Sequence, residues 1–81
     1  MTEKKIEQKL QNGLTNPKIF IQDMTGTMDH FNAIIISDDF IGKNLIEQHR
    51  LVYKILGDMV TNEIHALQLK TLTWEQWKKE N

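Results

Sequence analysis

Apolar residues recur along this 81-residue chain with two different periods, and the alternation of the two periods sets out the elements. Ile6, Leu10 and Leu14 follow a helical spacing, with charged residues on the other sides, so a first amphipathic helix is expected, with Thr2 placed to cap it. Gly13 and then Asn16-Pro17 stop it. Ile19-Phe20-Ile21-Gln22-Asp23 reads as a short strand, and Met24 to Asp29 as a turn-rich connection. The next strand runs from His30 to Ser37. Its Ala33-Ile34-Ile35-Ile36 run is continuously apolar, which predicts burial on both faces and hence a central strand. The short link makes these two strands antiparallel neighbours.

After the Ser37-Asp38-Asp39-Phe40-Ile41-Gly42-Lys43 loop, in which Phe40 and Ile41 are expected to tuck down as anchors, a long helix starts near Asn44. Asn44 and Glu47 have the spacing of a capping box. Leu45, His49, Val52, Leu56 and Met59 form the expected core stripe, and Lys43, Glu47, Arg50 and Lys54 the opposing polar ridge. Gly57-Asp58 breaks the pattern and a short second helix is expected over 58–62, giving a helix–turn–helix outline. The stretch from Ile64 to Leu72 reads as a third strand in which His65, Leu67, Leu69 and Thr71 share a face. Thr73 and Gln76 then cap a last helix, Trp74 to Glu80, with Lys78 and Lys79 in its final turn, where the helix dipole favours cations.

The order is therefore α-β-β-α-α-β-α: an α/β (α+β) chain with a three-stranded mixed sheet packed with helices, forming one domain over residues 1–81. The segment between the second and third strands is long and helical, which is a crossover and not a hairpin, so those strands should run parallel as neighbours. Their starts then lie at one end of the sheet. His30 begins one and His65 begins the other, and adjacent strands are about 4.8 Å apart, so the two imidazoles have a route to one site.

Composition narrows the chemistry. The formal net charge of −1 supplies no strong basic field for nonspecific grip on nucleic acid, although residues 40–79 hold six basic against four acidic groups. Without cysteine the chain has no disulfide, no thiol nucleophile and no thiolate metal site of its own. No apolar run approaches ~18 residues, and the mixed-charge start does not resemble a signal region, so a cytoplasmic protein without membrane contact is expected. No Gly-x-Gly-x-x-Gly, Walker or His-Glu-x-x-His motif is present, and the one serine, Ser37, has no glycine elbow. Asp38-Asp39 is better explained as backbone-bonding turn residues than as a catalytic pair. The chain is expected not to be an enzyme.

The three histidines differ in position. His49 lies on the apolar stripe and is expected to be packed and hydrogen-bonded. His30 and His65 can each be rim hydrogen-bonders or metal ligands. Two imidazoles fill only part of an iron or zinc coordination sphere, so any remaining ligands would come from a second molecule. Trp74 and Trp77, at i and i+3, fit packing of one helix face on the sheet, with partner contact as the alternative.

Taken together, His30-Phe31, the apolar run ending at Ser37, Phe40-x-Gly42, His49-Arg50-x-Val52-Tyr53, Leu56, Ile64-His65-Ala66-Leu67, Lys70-Thr71 and Trp77 resemble the BolA family. The resemblance covers nearly the whole chain and is densest from His30 to Trp77. It implies a fold similar to class II KH domains and partnership with monothiol glutaredoxins of the Cys-Gly-Phe-Ser type. It also implies a [2Fe-2S] cluster shared across the pair. The glutaredoxin cysteine and a glutathione thiol hold one side, and the histidine of the His-Ala-Leu segment, His65, holds the other. The family's second ligand is a Cys or His from the loop between the first two strands, where this chain offers His30 at the loop's end and Thr25 and Thr27 before it. The isolated chain is expected to bind no cofactor. The family also includes a bacterial transcriptional regulator that binds DNA through its helix–turn–helix-like surface. Carried onto this chain, that surface comprises Lys43, Arg50, Lys54 and Lys70. The resemblance thus carries two functional readings, an iron–sulfur adaptor and a DNA-binding regulator, beside a metal-free interaction domain.

Overall fold

A computed structural model of the chain describes residues 2–23, 30–59 and 66–80. Helix α1 spans Thr2–Gly13 and strand β1 Lys18–Asp23. Strand β2 spans His30–Ile36 and is followed by a single 3₁₀ turn at Asp38–Phe40. Helix α2 spans Leu45–Leu56, strand β3 Ala66–Leu72 and helix α3 Trp74–Glu80. The expected short helix over 58–62 falls largely outside the described residues, as do Ile64 and His65 at the expected start of the third strand. Gly57 and Asp58 do form the expected turn, with Gly57 in the left-handed region (φ 58°) at the end of α2, where a side chain would be strained.

The sheet order is β1-β2-β3, with β1 antiparallel and β2 parallel to its neighbour β3. The apolar run identified the central strand correctly. Ala33, Ile35 and Ile36 are buried and Ile34 is half-buried. Strand alternation sorts the side chains into two faces. The odd positions Ile19, Ile21, Phe31, Ala33, Ile35, Leu67 and Leu69 join Ile6 and Leu10 of α1, Leu14 just after it, and Val52 and Leu56 of α2 in the core. Helix α3 lies on the opposite face, where Trp77 meets Phe20 with ring centroids 5.5 Å apart. Helices α1 and α2 approach closely at Gly13, where an added Cβ would come within 2.8 Å of Ile55 Cγ2.

Both expected capping boxes are formed. The Asn44 side chain accepts from Glu47 N–H (2.9 Å) and Glu47 Oε1 accepts from Asn44 N–H (3.0 Å). Thr73 and Gln76 make the same reciprocal pair at the start of α3.

The α2 stripe needs correction. Leu45 is 61% exposed, and the residue that enters the core in the first turns is Gln48, at 7%. Gln48, Val52 and Leu56 lie four residues apart on the inward line, whereas Leu45 is the first residue of the helix and stays exposed. His49 falls on the flank and is half-buried, its Nε2 is enclosed, and among the described residues no hydrogen bond reaches that atom. The loop anchors divide as well. Phe40 is fully buried while Ile41 is 65% exposed, because the 3₁₀ turn ends at Phe40 and the chain leaves it in an extended conformation.

Candidate functional site

Two candidate sites follow from the topology. The first is the end of the sheet where β2 and β3 begin. The register sets His30 directly opposite Ala66, the residue that follows His65 in the sequence. The pairing thus continues from the crossover and brings the start of β2 beside the start of β3, as the parallel arrangement requires. His65 lies outside the described residues, and so does the 24–29 connection with Thr25 and Thr27. Within the described residues, no three His, Cys, Asp or Glu side chains gather in a way that would hold a metal ion.

The chain has no cysteine, so it offers no thiolate at this end, and its nitrogen donors there are imidazoles. Two imidazoles on one iron are an established half-set for a [2Fe-2S] cluster, the other iron taking two thiolates. The donor set of this chain therefore fits such a cluster as one side of it, with His65 and His30 as the available nitrogens. It does not fit as a complete four-ligand site.

The second candidate is the outer surface of α2. Lys43, Arg50 and Lys54 are all exposed, with Arg50 and Lys54 about one turn apart and Lys43 just before the helix. Lys70 does not join them. Its neighbour Thr71 points at α2, so Lys70 is on the opposite face of the sheet, where its Nζ lies 2.9 Å from Glu80 Oε1 of α3. Four basic residues that read as one surface are thus divided between two sides of the sheet.

Gln48 is the residue of this region that the apolar pattern passes over. Its amide donates to Phe40 O (3.2 Å) and Lys43 O (2.9 Å), and its Oε1 accepts from Thr71 Oγ1 (2.6 Å). One buried side chain thereby joins α2, β3 and the loop that presents Lys43, with its polar groups satisfied. The signal was its spacing, four residues before Val52 and eight before Leu56.

Asp38 and Asp39 are structural. Asp39 Oδ2 accepts from Thr15 N–H (2.8 Å), Asp38 Oδ2 lies 3.5 Å from Asn16 Nδ2, and Ser37 Oγ donates to Thr15 O (2.8 Å). Ser37 also caps the 3₁₀ turn by accepting from Asp39 N–H. The expected backbone bonding is present, but much of it reaches the α1–β1 loop, which the sequence places more than twenty residues away. Of the two tryptophans, Trp77 packs on the sheet as expected and Trp74 reaches the α1–β1 loop. Trp74 Nε1 donates to Asn16 O (2.8 Å), and Trp77 lies against Phe20 with the Lys18 ammonium 5.6 Å from its centroid.

Comparison with known proteins agrees with this fold. The BolA family model, described as BolA-like protein, matches residues 5–76. A DNA-binding transcriptional regulator BolA of Haemophilus influenzae is 31% identical over 83 residues, covering 94% of this chain and 81% of the relative. An uncharacterized protein of Buchnera aphidicola is 43% identical over 51 residues, which is 63% of this chain and 49% of that protein, so the match spans about half of that relative's length. Among solved structures, BolA1 from Arabidopsis thaliana superposes with a TM-score of 0.86 at 32% identity, covering 94% of this chain and 95% of that one.

Proposed function

The chain belongs to the BolA-like protein family, and on that footing we propose that it is a non-enzymatic adaptor that binds a monothiol glutaredoxin of the Cys-Gly-Phe-Ser type and shares a [2Fe-2S] cluster with it, acting in iron–sulfur trafficking or iron regulation in the cytoplasm. The observation that carries this reading is the parallel β2–β3 register, with His30 opposite the residue next to His65. A chain without cysteine needs its thiolates from elsewhere, and a glutaredoxin cysteine with glutathione supplies two. His65 would hold the cluster from this side, with His30 as second ligand. When bound, the cluster supplies a one-electron centre and a transferable iron–sulfur unit.

The test is a titration of the full chain into cluster-loaded monothiol glutaredoxin with glutathione, followed by visible circular dichroism. The expected result is a changed spectrum that saturates at one-to-one and is lost with His65→Ala. A His65→Ala chain that still produces the wild-type hetero-complex spectrum would overturn the ligand assignment.

A second reading has its own support. The Haemophilus influenzae relative carries the name of a DNA-binding transcriptional regulator, and Arg50 and Lys54 of α2, with Lys43 just before it, are exposed. A DNA-binding role through this surface predicts affinity that falls steeply with salt, and weaker binding by Arg50→Ala and Lys54→Ala across all sequences. Binding that is insensitive to both substitutions would remove this reading.

A further inference from the structure

The face of the sheet turned away from α1 and α2 is ordered in rows. The strand register places Gln22 opposite Asn32 and Asn32 opposite Gln68, so three carboxamides run straight across the three strands. The next row on the same face is Phe20, Ile34 and Lys70. The row after that is Lys18, Ile36 and Leu72, beside which Trp77 of α3 stands. Gln22 and Gln68 are exposed, Asn32 is half-buried and Phe20 remains 41% exposed. Phe20, Ile21, Gln22, Asn32 and Ile34 line a shallow groove of about 90 Å³ between the first two rows. The Lys18 ammonium sits 5.4 Å from the Phe20 centroid, and Lys70 marks the far end of the Phe20 row.

We propose that the part of this face left uncovered by α3 binds single-stranded nucleic acid, with a base stacked on Phe20, base edges read by the Gln22–Asn32–Gln68 row, and Lys18 and Lys70 meeting the flanking phosphates, Lys70 exchanging its exposed ion pair with Glu80 for one of them. Each carboxamide both donates and accepts hydrogen bonds without carrying charge, which suits the mixed edges of nucleobases. An exposed ring on a sheet offers a stacking surface that every base can use. A duplex keeps its bases stacked on one another and cannot present a face to such a ring, so the ligand is an unpaired strand. Base stacking is worth more than a cation–π contact at an exposed ring, so an arriving base displaces the Lys18 ammonium toward the phosphates. A protein partner is less well matched. The core of a protein–protein interface is apolar and depleted of charge, whereas the uncovered part of this face sets an amide row and two lysines around Phe20, Ile34 and the half-buried Trp77. The surface is distinct from the exposed side of α2, and its amide row lies one row along from the His30–Ala66 pair that begins both strands.

The experiment uses the full chain with 5′-fluorescein-labelled strands of about eight nucleotides, oligo-deoxythymidine and oligo-uridine, followed by anisotropy at low salt. Binding is expected, with a slope of log affinity against log salt near −1.4, about 0.7 for each of two phosphates. Tryptophan emission should be quenched as the base reaches the Phe20–Trp77 pair. Phe20→Ala should weaken binding at least fivefold, and Lys18→Glu and Lys70→Glu should each weaken it. Lys9→Glu, the same charge change on an exposed position of α1, should weaken it much less. Amide resonances of Phe20, Gln22, Asn32 and Gln68 should shift on titration, which reports the face even if one variant folds poorly. No binding at millimolar strand, resonance shifts confined to α2, or equal loss with Lys9→Glu would each overturn the proposal.

Discussion

The two ends of the parallel β2–β3 pair are built differently. At the end where both strands finish, hydrogen bonds from distant parts of the chain converge. Ser37 N–H donates to Leu72 O, Ser37 Oγ and Asp39 hold the backbone of Thr15, Trp74 holds Asn16, and Gln48 ties Thr71 to the Phe40 loop. At the end where both strands begin, the sequence places two histidines, His30 and His65, and the register sets the first beside the neighbour of the second. A parallel pair brings both starts to one end and both finishes to the other, so it can separate the polar frame of the fold from its candidate chemistry. Substitutions at the finishing end should therefore act on stability, and substitutions at the starting end on binding.

The largest effect expected from that contrast is at Phe40. Its ring is fully buried beneath the finishing end, and Phe40→Ala should lose about 3–5 kcal/mol in urea unfolding, much of what a domain this small possesses. Gln48→Ala comes next. It removes the Gln48 bonds to Lys43 O and to the buried Thr71 hydroxyl, and leaves Phe40 O only its bond from Lys43 N–H, for a loss of about 2–3 kcal/mol. A double-mutant cycle with Thr71→Val should show coupling, because the two side chains bond one another directly. Trp74→Phe keeps the ring but removes the bond to Asn16 O, and about 0.5–1.5 kcal/mol should be lost. The smallest effect on stability is expected at the other end, where His30→Ala and His65→Ala should each stay within about 0.5 kcal/mol of the parent chain. Large destabilisation by the histidine substitutions, or a neutral Gln48→Ala, would break the contrast.

The fold was legible wherever one rule sufficed. Continuous apolarity marked β2 as central, the length of the crossover made β3 parallel to it, and the spacings at Asn44–Glu47 and Thr73–Gln76 gave both helix starts. Reading failed where a residue's chemistry and its position disagreed. Leu45 and Ile41 are apolar but exposed, while Gln48 is polar yet buried because three backbone and side-chain partners satisfy its amide. Apolarity alone carries no information about such partners. The grouping of Lys70 with Arg50 and Lys54 followed the sign of charge. The alternation that put Leu67, Leu69 and Thr71 on one face already implied that Lys70 belongs to the other. The amide row was invisible for another reason. Gln22, Asn32 and Gln68 are far apart in sequence and become neighbours only once the register is fixed.

The central claim is that imidazole from this chain binds iron, and pulsed electron paramagnetic resonance of the reduced hetero-complex tests it most directly. The chain is labelled with ¹⁵N-histidine and joined to unlabelled monothiol glutaredoxin and glutathione. The account predicts a strongly coupled ¹⁵N signal from a nitrogen bound to the cluster, removed by His65→Ala. A cluster spectrum showing no histidine nitrogen coupling, in a complex that has formed by size, would contradict it.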